Sequence, residues 1–184
     1  TVYRDADCLI DTTTNTIGDV TDEWDTCSAP LDATYVDDVS GLTECNLTGT
    51  FTRTWTLEDS CGNKTVEVQT ITVLDTISPT FTVPADDTVY AKSDCSLDST
   101  TAHTGDVTDE ADNCTLKLDA TYEDDTDGLT ECNNTGTFDR TWTLEDSCGN
   151  KTVKVQTITV LDTTSPTFTV PADVTINCED DYTD

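Results

Sequence analysis

The strongest constraint on this chain is an internal repeat with a period of 87 residues. Residues 41–87 and 128–174 differ at only five positions, and the same offset aligns residues 1–3 with residues 88–90. Self-similarity at a fixed period indicates an array of structural units that pack on their neighbours. A catalytic site is seldom copied along a chain in this way. The repeat therefore predicts a structural or adhesive protein and not an enzyme.

The repeat divides the chain into two small domains and the beginning of a third. We predict repeat 1 at residues 1–76, with a truncated first strand, repeat 2 at residues 77–163, and the start of a third repeat at residues 164–184. Each period is long enough for one modest core. Because residues 1–3 look like the tail of a first strand and residues 165–184 like the first strand of a third unit, we expect a window from a longer repetitive protein. No signal peptide or long apolar run is present, and we expect no direct membrane insertion.

The charge is extreme, with 38 acidic residues against 8 basic residues and a net charge of −30. A phosphate backbone would be repelled, which excludes nucleic acid as a partner, and an anionic membrane surface is disfavoured for the same reason. The acidic residues cluster, so divalent cations are the expected source of counter-charge. The alternative is an acidic surface that water alone solvates.

The strand signals are clear in the repeated segment. Residues 50–57 alternate strictly, with Phe51, Trp55 and Leu57 on one face and threonine on the other. Residues 65–74 form a second strand whose apolar positions change parity, which predicts a bulge near residues 69–70 or a strand that changes sheets. Short strands separated by turns, without helical periodicity, predict an all-β fold, with each repeat an antiparallel β-sandwich.

Eight of the nine cysteines recur at matching positions in the two repeats. Even counts in a small β-rich domain indicate disulfides and an oxidising compartment. If the strands run up and down, successive cysteines lie at alternate ends, and sequential pairing would have to span a whole strand. Alternate pairing within each repeat predicts Cys8–Cys45, Cys27–Cys61, Cys95–Cys132 and Cys114–Cys148. For Cys178 we expect a partner beyond Asp184, with a free thiol or an interchain bond as the alternative.

Four strings between residues 112 and 173 resemble a known family. They are Asp-Asn-Cys at 112–114, Cys-Gly-Asn at 148–150, Gln-Thr-Ile-Thr-Val-Leu-Asp-Thr at 156–163 and Ser-Pro-Thr-Phe-Thr-Val-Pro-Ala-Asp at 165–173. Together they resemble the hyalin-repeat-like (HYR-like) immunoglobulin-type modules found in long tandem arrays of giant Bacteroidetes-type surface proteins, including gliding-motility adhesins. The resemblance implies tandem immunoglobulin-like sandwiches in an elongated array, secretion to the cell surface, and a role as stalk or adhesin.

The acidic loops at one end of each repeat are candidate cation ligands. The strand directions place residues 105–112 and 145–146 at the same end, facing the linker at residues 74–76. Carboxylates that converge at a domain junction repel one another unless a cation binds, and calcium takes six to eight oxygen ligands. The predicted calcium ligands are Asp75, Asp106, Asp109, Asp112 and Asp146, with Asp19, Asp22, Asp25 and Asp59 in repeat 1. The alternative is that these residues cap turns and stay solvated.

The acidic pairs at residues 37–38 and 124–125 fall at the opposite end, where they could face the next domain. Calcium at the junctions would stiffen an array of small domains. The sequence thus predicts a structural stalk or filament segment of a secreted surface adhesin. Its partners would be neighbouring repeats of the same chain and other copies in a filament.

A rival prediction from a different class is a module that binds a carbohydrate or a protein directly. It requires an exposed aromatic patch in both repeats, for which Tyr35 and Tyr122 are the shared candidates. Trp24 has no counterpart, since Ala111 replaces it, and is either an exposed contact or a packing accident. Thr76 and Thr88 match a short Asp-Thr-aliphatic pattern of Bacteroidetes O-glycosylation, which the family resemblance would make meaningful.

Overall fold

A computed structural model describes residues 1–28, 30–130 and 134–175 of the chain. Most of the ordered elements are β-strands, which confirms the predicted all-β class. In chain order the strands are β1 (Val2–Tyr3), β2 (Thr34–Asp38), β3 (Gly49–Glu58), β4 (Lys64–Leu74), β5 (Thr80–Thr82), β6 (Asp87–Tyr90), β7 (Thr108–Ala111), β8 (Thr121–Asp125), β9 (Gly136–Glu145) and β10 (Lys151–Leu161). Two four-residue helices, α1 (Thr14–Ile17) and α2 (Thr101–Thr104), and two short 3₁₀ turns, Cys45–Leu47 and Thr126–Gly128, complete the described elements.

The two repeats build the same four-stranded sheet. Strands β1–β4 form one sheet in the order β1-β4-β3-β2, and β6 and β8–β10 form the other in the order β6-β10-β9-β8. The pairs β1–β4 and β6–β10 are parallel, and the remaining pairs of both sheets are antiparallel. Strands β5 and β7 form a separate two-stranded antiparallel sheet in repeat 2.

The apolar face of each sheet carries its own core. In repeat 1 the buried cluster is Val2, Phe51, Ile71 and Val73. In repeat 2 the equivalent cluster is Val89, Phe138, Ile158 and Val160, and a second cluster joins Phe81 of β5 to Trp142 and Leu144 of β9. Burial of these side chains on one face of an alternating strand is the main driving force for each sheet.

The structure contradicts the bulge expected in β4. This strand pairs with β3 without interruption, from Gly49 opposite Val73 to Glu58 opposite Lys64. The parity changes because Val66 and Val68 lie on the exposed face of a regular strand. On the inward face the polar Gln69 replaces an apolar residue, and its Oε1 accepts a hydrogen bond of 3.1 Å from Trp55 Nε1.

A buried arginine sits on the core-facing side of β3 and of β9. Arg53 and Arg140 are almost inaccessible to water, and their Nε atoms donate to Asp37 at 2.7 Å and to Asp124 at 2.6 Å. These hydrogen bonds raise the pKa of both guanidinium groups above the ordinary value. Each carboxylate is held by an arginine of its own repeat, so Asp37 and Asp124 serve the fold of that repeat.

The arginine side chain also packs on aromatic rings. The Arg53 guanidinium carbon lies 3.8 Å from the centre of the Tyr35 ring, and that of Arg140 lies 4.1 Å from the Tyr122 ring. Each tyrosine ring in turn packs at about 5 Å on the neighbouring tryptophan, Trp55 or Trp142. The shared tyrosines are therefore part of a structural stack, although an edge of each reaches the solvent.

Candidate functional site at the joint between the repeats

Two disulfides cross from one repeat to the other. Cys8 bonds to Cys114, 106 residues away, and Cys45 bonds to Cys148, 103 residues away. The Cα atoms of the two pairs are 5.0 and 5.2 Å apart, within the ordinary range for a disulfide. The predicted bonds Cys8–Cys45 and Cys114–Cys148 are therefore wrong.

The prediction placed these four cysteines at the correct ends of their repeats but assigned them the wrong bonding partners. Arg4 donates hydrogen bonds to the carbonyls of Cys8 and Leu47, which places Cys8 beside the Cys45–Leu47 turn at one end of repeat 1. Thr115 Oγ1 lies 3.0 Å from Ser147 Oγ, so Cys114 and Cys148 likewise share one end of repeat 2. These two ends face each other, and each cysteine bonds across the joint instead of to its neighbour.

Three further cysteines are exposed thiols. Cys27 and Cys61 carry no disulfide, so the predicted Cys27–Cys61 bond is also wrong. Cys95 is likewise a free thiol, and its predicted partner Cys132 lies outside the described residues, as does Cys178. Among these free cysteines, Cys27 and Cys61 are the repeat-1 counterparts of Cys114 and Cys148, and Cys95 is the repeat-2 counterpart of Cys8.

Side-chain amides add polar contacts at the same joint. Asn46 Nδ2 donates to Thr115 Oγ1 at 3.1 Å, and Asn113 Nδ2 donates to the carbonyl of Asp5 at 2.9 Å. Asn150 Nδ2 reaches the Asp75 carbonyl in the linker at 3.3 Å. The sequence analysis did not assign these three asparagines, although the Cys-Gly-Asn string recurs in both repeats and marked the position of Asn150.

Three carboxylates converge beside the linker. One oxygen each from Asp75, Asp112 and Asp146 lies within 4.8 Å of the others. Asp75 directly follows β4, Asp112 directly follows β7, and Asp146 directly follows β9. The ends of three strands therefore bring these side chains together. Asp75 and Asp146 are only 7% and 5% exposed, so water solvates them poorly.

Backbone amides orient all three carboxylates, with Ile77 N donating to Asp75 Oδ1 at 3.2 Å, and leave other carboxylate oxygens without partners. Asp112 Oδ2 accepts from the amides of Cys114 and Thr115, and Asp146 Oδ1 accepts from the amides of Cys148 and Asn150. The buried atoms Asp75 Oδ2 and Asp112 Oδ1 have no hydrogen-bond partner. Unpaired buried carboxylate oxygens are costly, and a cation among them would remove that cost.

The other acidic residues predicted for repeat 2 lie apart from this triad. Asp106 and Asp109 are exposed, and Asp106 Oδ1 accepts a hydrogen bond from the amide of Val107. Asp106 also contributes to the raised pKa of Arg140, which places it on the arginine side of the domain. The structure thus brings together three of the five predicted ligands at this joint.

In repeat 1 the predicted ligands form no such group among the described residues. Asp19 and Asp22 are exposed. Asp25 and Asp59 occupy the positions of Asp112 and Asp146, and Asp25 Oδ2 accepts from the Cys27 amide at 2.8 Å. Asp59 Oδ1 accepts from the Cys61 and Asn63 amides, each at 2.8 Å. Repeat 1 therefore repeats two of the three carboxylates of the site, at Asp25 and Asp59.

The remaining candidates are surface positions. Trp24 is 76% exposed, and Tyr35 and Tyr122 are 41% and 45% exposed. Thr76 is exposed in the linker, while Thr88 is half-buried within β6, where it lies opposite Thr159 of β10.

No protein-family model matches the chain, and no curated protein matches it either. Among the described residues, no helix is long and apolar enough to cross a membrane. The assignment of a function accordingly depends on the chemistry of the joint itself.

Proposed function

We propose that this chain is a structural segment of a secreted cell-surface protein, in which tandem immunoglobulin-like repeats form a stalk or filament. The observation that carries the proposal is the pair of disulfides between the repeats. A binding domain or an enzyme gains little from being bonded twice to a near copy of itself. An array that carries mechanical tension gains from them, because two bonds fix the angle between the repeats and prevent the repeats from sliding past each other.

The cysteines also support a location outside the cytoplasm. Disulfides persist in oxidising environments and are rare where cellular thiols keep cysteines reduced. The two disulfides of this chain therefore support an oxidising compartment. The strings that resemble HYR-like modules of surface adhesins point to the same compartment. Labelling of intact cells by an antibody against this segment tests the location, and labelling only after permeabilisation would contradict it.

A calcium ion at Asp75, Asp112 and Asp146 is the second part of the proposal. The three side chains supply oxygen ligands only, and two buried oxygens lack any partner. Hard cations such as calcium prefer such ligands, and neighbouring carbonyls and water complete six to eight positions. Because Asp75 belongs to the linker and the other two to repeat 2, the ion would tie the linker to the repeat.

The calcium proposal is tested by thermal unfolding in calcium and in EDTA. Extracellular modules bind calcium with a Kd of about 10⁻⁴–10⁻³ M. At about 100 times Kd, the ion stabilises the folded state by about 2.7 kcal/mol. Asp112→Asn keeps an oxygen to cap the same turn but removes a charge, so we expect it to lose most of the calcium-dependent shift in Tm.

Asp25→Asn is the matched control, since Asp25 is the repeat-1 counterpart of Asp112 and belongs to no cluster of three carboxylates among the described residues. It should leave the calcium-dependent shift unchanged. If the unmodified chain has the same Tm in calcium and in EDTA, the calcium site is contradicted. The disulfides would still support the stalk proposal. A magnesium titration shows whether the site prefers the larger ion.

The alternative function is direct binding of a carbohydrate or protein ligand. It is favoured by the equivalent exposure of Tyr35 and Tyr122, which gives both repeats an aromatic edge at the surface. A glycan array probed with the two-repeat chain tests it. Specific and saturable binding that Tyr35→Ala combined with Tyr122→Ala abolishes would support a ligand-binding module over a purely structural one.

A further inference from the structure

The three carboxylates at the joint come from different parts of the chain. Asp75 directly follows β4 of repeat 1, whereas Asp112 and Asp146 directly follow β7 and β9 of repeat 2. Asp75 is 7% exposed, and its buried Oδ2 atom has no hydrogen-bond partner. A cation among the three would bind this oxygen and would therefore bridge the end of the repeat-1 sheet to repeat 2.

In repeat 2, two of these carboxylates accept hydrogen bonds from the cysteines that cross the joint. Asp112 Oδ2 accepts from the amide of Cys114 at 2.8 Å. Asp146 Oδ1 accepts from the amide of Cys148, also at 2.8 Å. Cys114 and Cys148 form the two disulfides to repeat 1. The disulfides and the candidate calcium site therefore share the same two turns of repeat 2.

In repeat 1, Arg4 connects the linker to the two other bonded cysteines. Its amide donates at 2.9 Å to the carbonyl of Leu74, the residue before the linker carboxylate. Its guanidinium donates from Nη1 to the carbonyl of Cys8 and from Nη2 to the carbonyl of Leu47, in the turn that begins at Cys45. Arg4 thus holds the end of β4 against both cysteine-containing loops of repeat 1.

A cation would close two rings of contacts, and each ring contains one disulfide. Both rings begin at the linker carboxylate and pass through Arg4. One ring returns through the disulfide and the amide of Cys114 to Asp112. The other returns through the disulfide and the amide of Cys148 to Asp146. Because a bond already present in a ring orders the parts that the next bond must bring together, it lowers the entropy cost of closing that ring.

We propose that calcium binding and the two disulfides of the joint stabilise each other. The oxidised chain binds calcium more tightly than the reduced chain. Bound calcium makes the disulfides harder to reduce by the same factor, because coupling between two equilibria is reciprocal. This inference rests on the calcium site proposed above and adds a redox dependence to that site. The joint is then stiff only where the surroundings are both oxidising and rich in calcium.

The coupling acts through the position of the repeats and not through the shape of the turns. The equivalent turns of repeat 1 form around Cys27 and Cys61, which carry no disulfide. The Cys27 amide donates to Asp25 at 2.8 Å, as in the bonded turn of repeat 2. The Cys61 amide donates to Asp59 at the same distance. Reduction therefore leaves the repeat-2 ligands oriented but releases repeat 1, and the linker with it, from its fixed position beside them.

Calcium titrations of the oxidised and the reduced chain, followed by amide chemical shifts in NMR, test the first half of the proposal. The same spectra show whether the sheets persist on reduction. We expect reduction to weaken calcium binding about 10-fold or more. Equal Kd values in the two states overturn the coupling and leave the calcium site standing. If the oxidised chain does not bind calcium, the site itself is wrong, and the coupling is wrong with it.

The second half is tested on the unmodified chain in a dithiothreitol redox buffer, with and without calcium. Each disulfide exchanges with one dithiol, which gives two cysteine thiols and the cyclic disulfide of dithiothreitol. Alkylation and mass spectrometry of the Cys114 and Cys148 peptides measure the reduced fraction. Calcium should shift the equilibrium toward the disulfides, and a tenfold shift for one bond lowers its reduction potential by about 30 mV.

Two variants serve as controls for this measurement. Asp112→Asn should remove the effect of calcium on the disulfides, because it removes a charged ligand. Asp25→Asn, in the equivalent turn of repeat 1, should keep the effect. An equilibrium that calcium does not move, in a chain that binds calcium, overturns the proposal, and so does an equal effect of calcium in the Asp112→Asn variant.

Arg4→Ala tests the coupling with both disulfides intact. Loss of the positive charge by itself favours a cation at the joint, whereas loss of the positioning contacts disfavours it. We expect the oxidised variant to bind calcium about 10-fold more weakly than the unmodified chain, and its Kd to change little on reduction. Lys92→Ala removes the same charge from the Cys95 turn of repeat 2 and should leave both Kd values unchanged. Unchanged or tighter calcium binding by the Arg4→Ala variant overturns the proposal.

Discussion

The number of free thiols in cysteine variants distinguishes disulfides between the repeats from disulfides within each repeat. Cys45→Ser combined with Cys148→Ser removes one whole bond and leaves Cys8–Cys114 intact. This double variant should contain no thiol beyond those of the unmodified chain. Cys8→Ser combined with Cys45→Ser should instead release two new thiols, because it breaks both bonds and leaves Cys114 and Cys148 unpaired.

The loss of stability follows from the size of the loop that the missing bond closed. With Cys8–Cys114 present, Cys45–Cys148 closes a loop of about 70 residues, formed by segments 8–45 and 114–148. In the chain-entropy model such a loop contributes about 4 kcal/mol by constraining the unfolded state. We expect the free energy of unfolding of the Cys45→Ser, Cys148→Ser variant to fall by about that amount.

The assay combines two measurements on each variant. Rapid alkylation in denaturant followed by mass spectrometry counts the thiols, and urea unfolding followed by fluorescence of Trp55 and Trp142 gives the stability of both cores. Two new thiols in the Cys45→Ser, Cys148→Ser variant, together with none in the Cys8→Ser, Cys45→Ser variant, would refute the bonds across the joint. That outcome would instead establish pairing within each repeat.

Three further predictions concern the fold of single repeats. Asp124→Ala leaves the buried guanidinium of Arg140 without its carboxylate and should destabilise the chain by about 3 kcal/mol in calorimetry; a loss near zero would show that the pair is dispensable. Gly136→Ala should cost about 1–3 kcal/mol, measured by urea unfolding, because φ is +134° and the added Cβ would lie 2.4 Å from a backbone oxygen. Hydrogen bonds, first from the side chain of Asn63, lower the pKa of Asp59 below 3.8, so this turn is stabilised above that pH and loses the contribution as pH falls through the lowered pKa. An NMR titration should give a lower midpoint for Asp59 in the unmodified chain than in the Asn63→Ala variant. Equal midpoints would show that the Asn63 hydrogen bond does not lower this pKa.

Local patterns in the sequence predicted local structure well. The alternation in residues 50–57 identified β3 and its inward Phe51 and Trp55, because a strand places every second residue on the same face. It missed the inward position of Arg53, since an arginine is ordinarily an exposed residue. Only the three-dimensional pairing with Asp37 and the stack on Tyr35 explain why burial is tolerated there.

Partner choice between near-identical repeats was not predictable. The strand directions placed Cys8 and Cys45 at one end and the convergence of Asp75 with Asp112 and Asp146 at the joint, as the structure has them. Cys8 could bond to Cys45 in its own repeat or to Cys114 across the joint, and both candidate partners lie outside the strands. The distance between facing ends of two domains decides between them, and no periodicity encodes that distance.

The disulfides across the joint also limit how far the chain can be stretched. The segment from residue 1 to residue 175, fully extended and without cross-links, would reach about 600 Å. With Cys8 bonded to Cys114, the shortest covalent path from residue 1 to residue 175 contains only about 70 residues, or about 240 Å. Even complete unfolding of both repeats would therefore release less than half of the contour length. The protein behaves under tension as a tether of restricted extensibility, whose reach is limited by covalent bonds and not by the survival of its sheets.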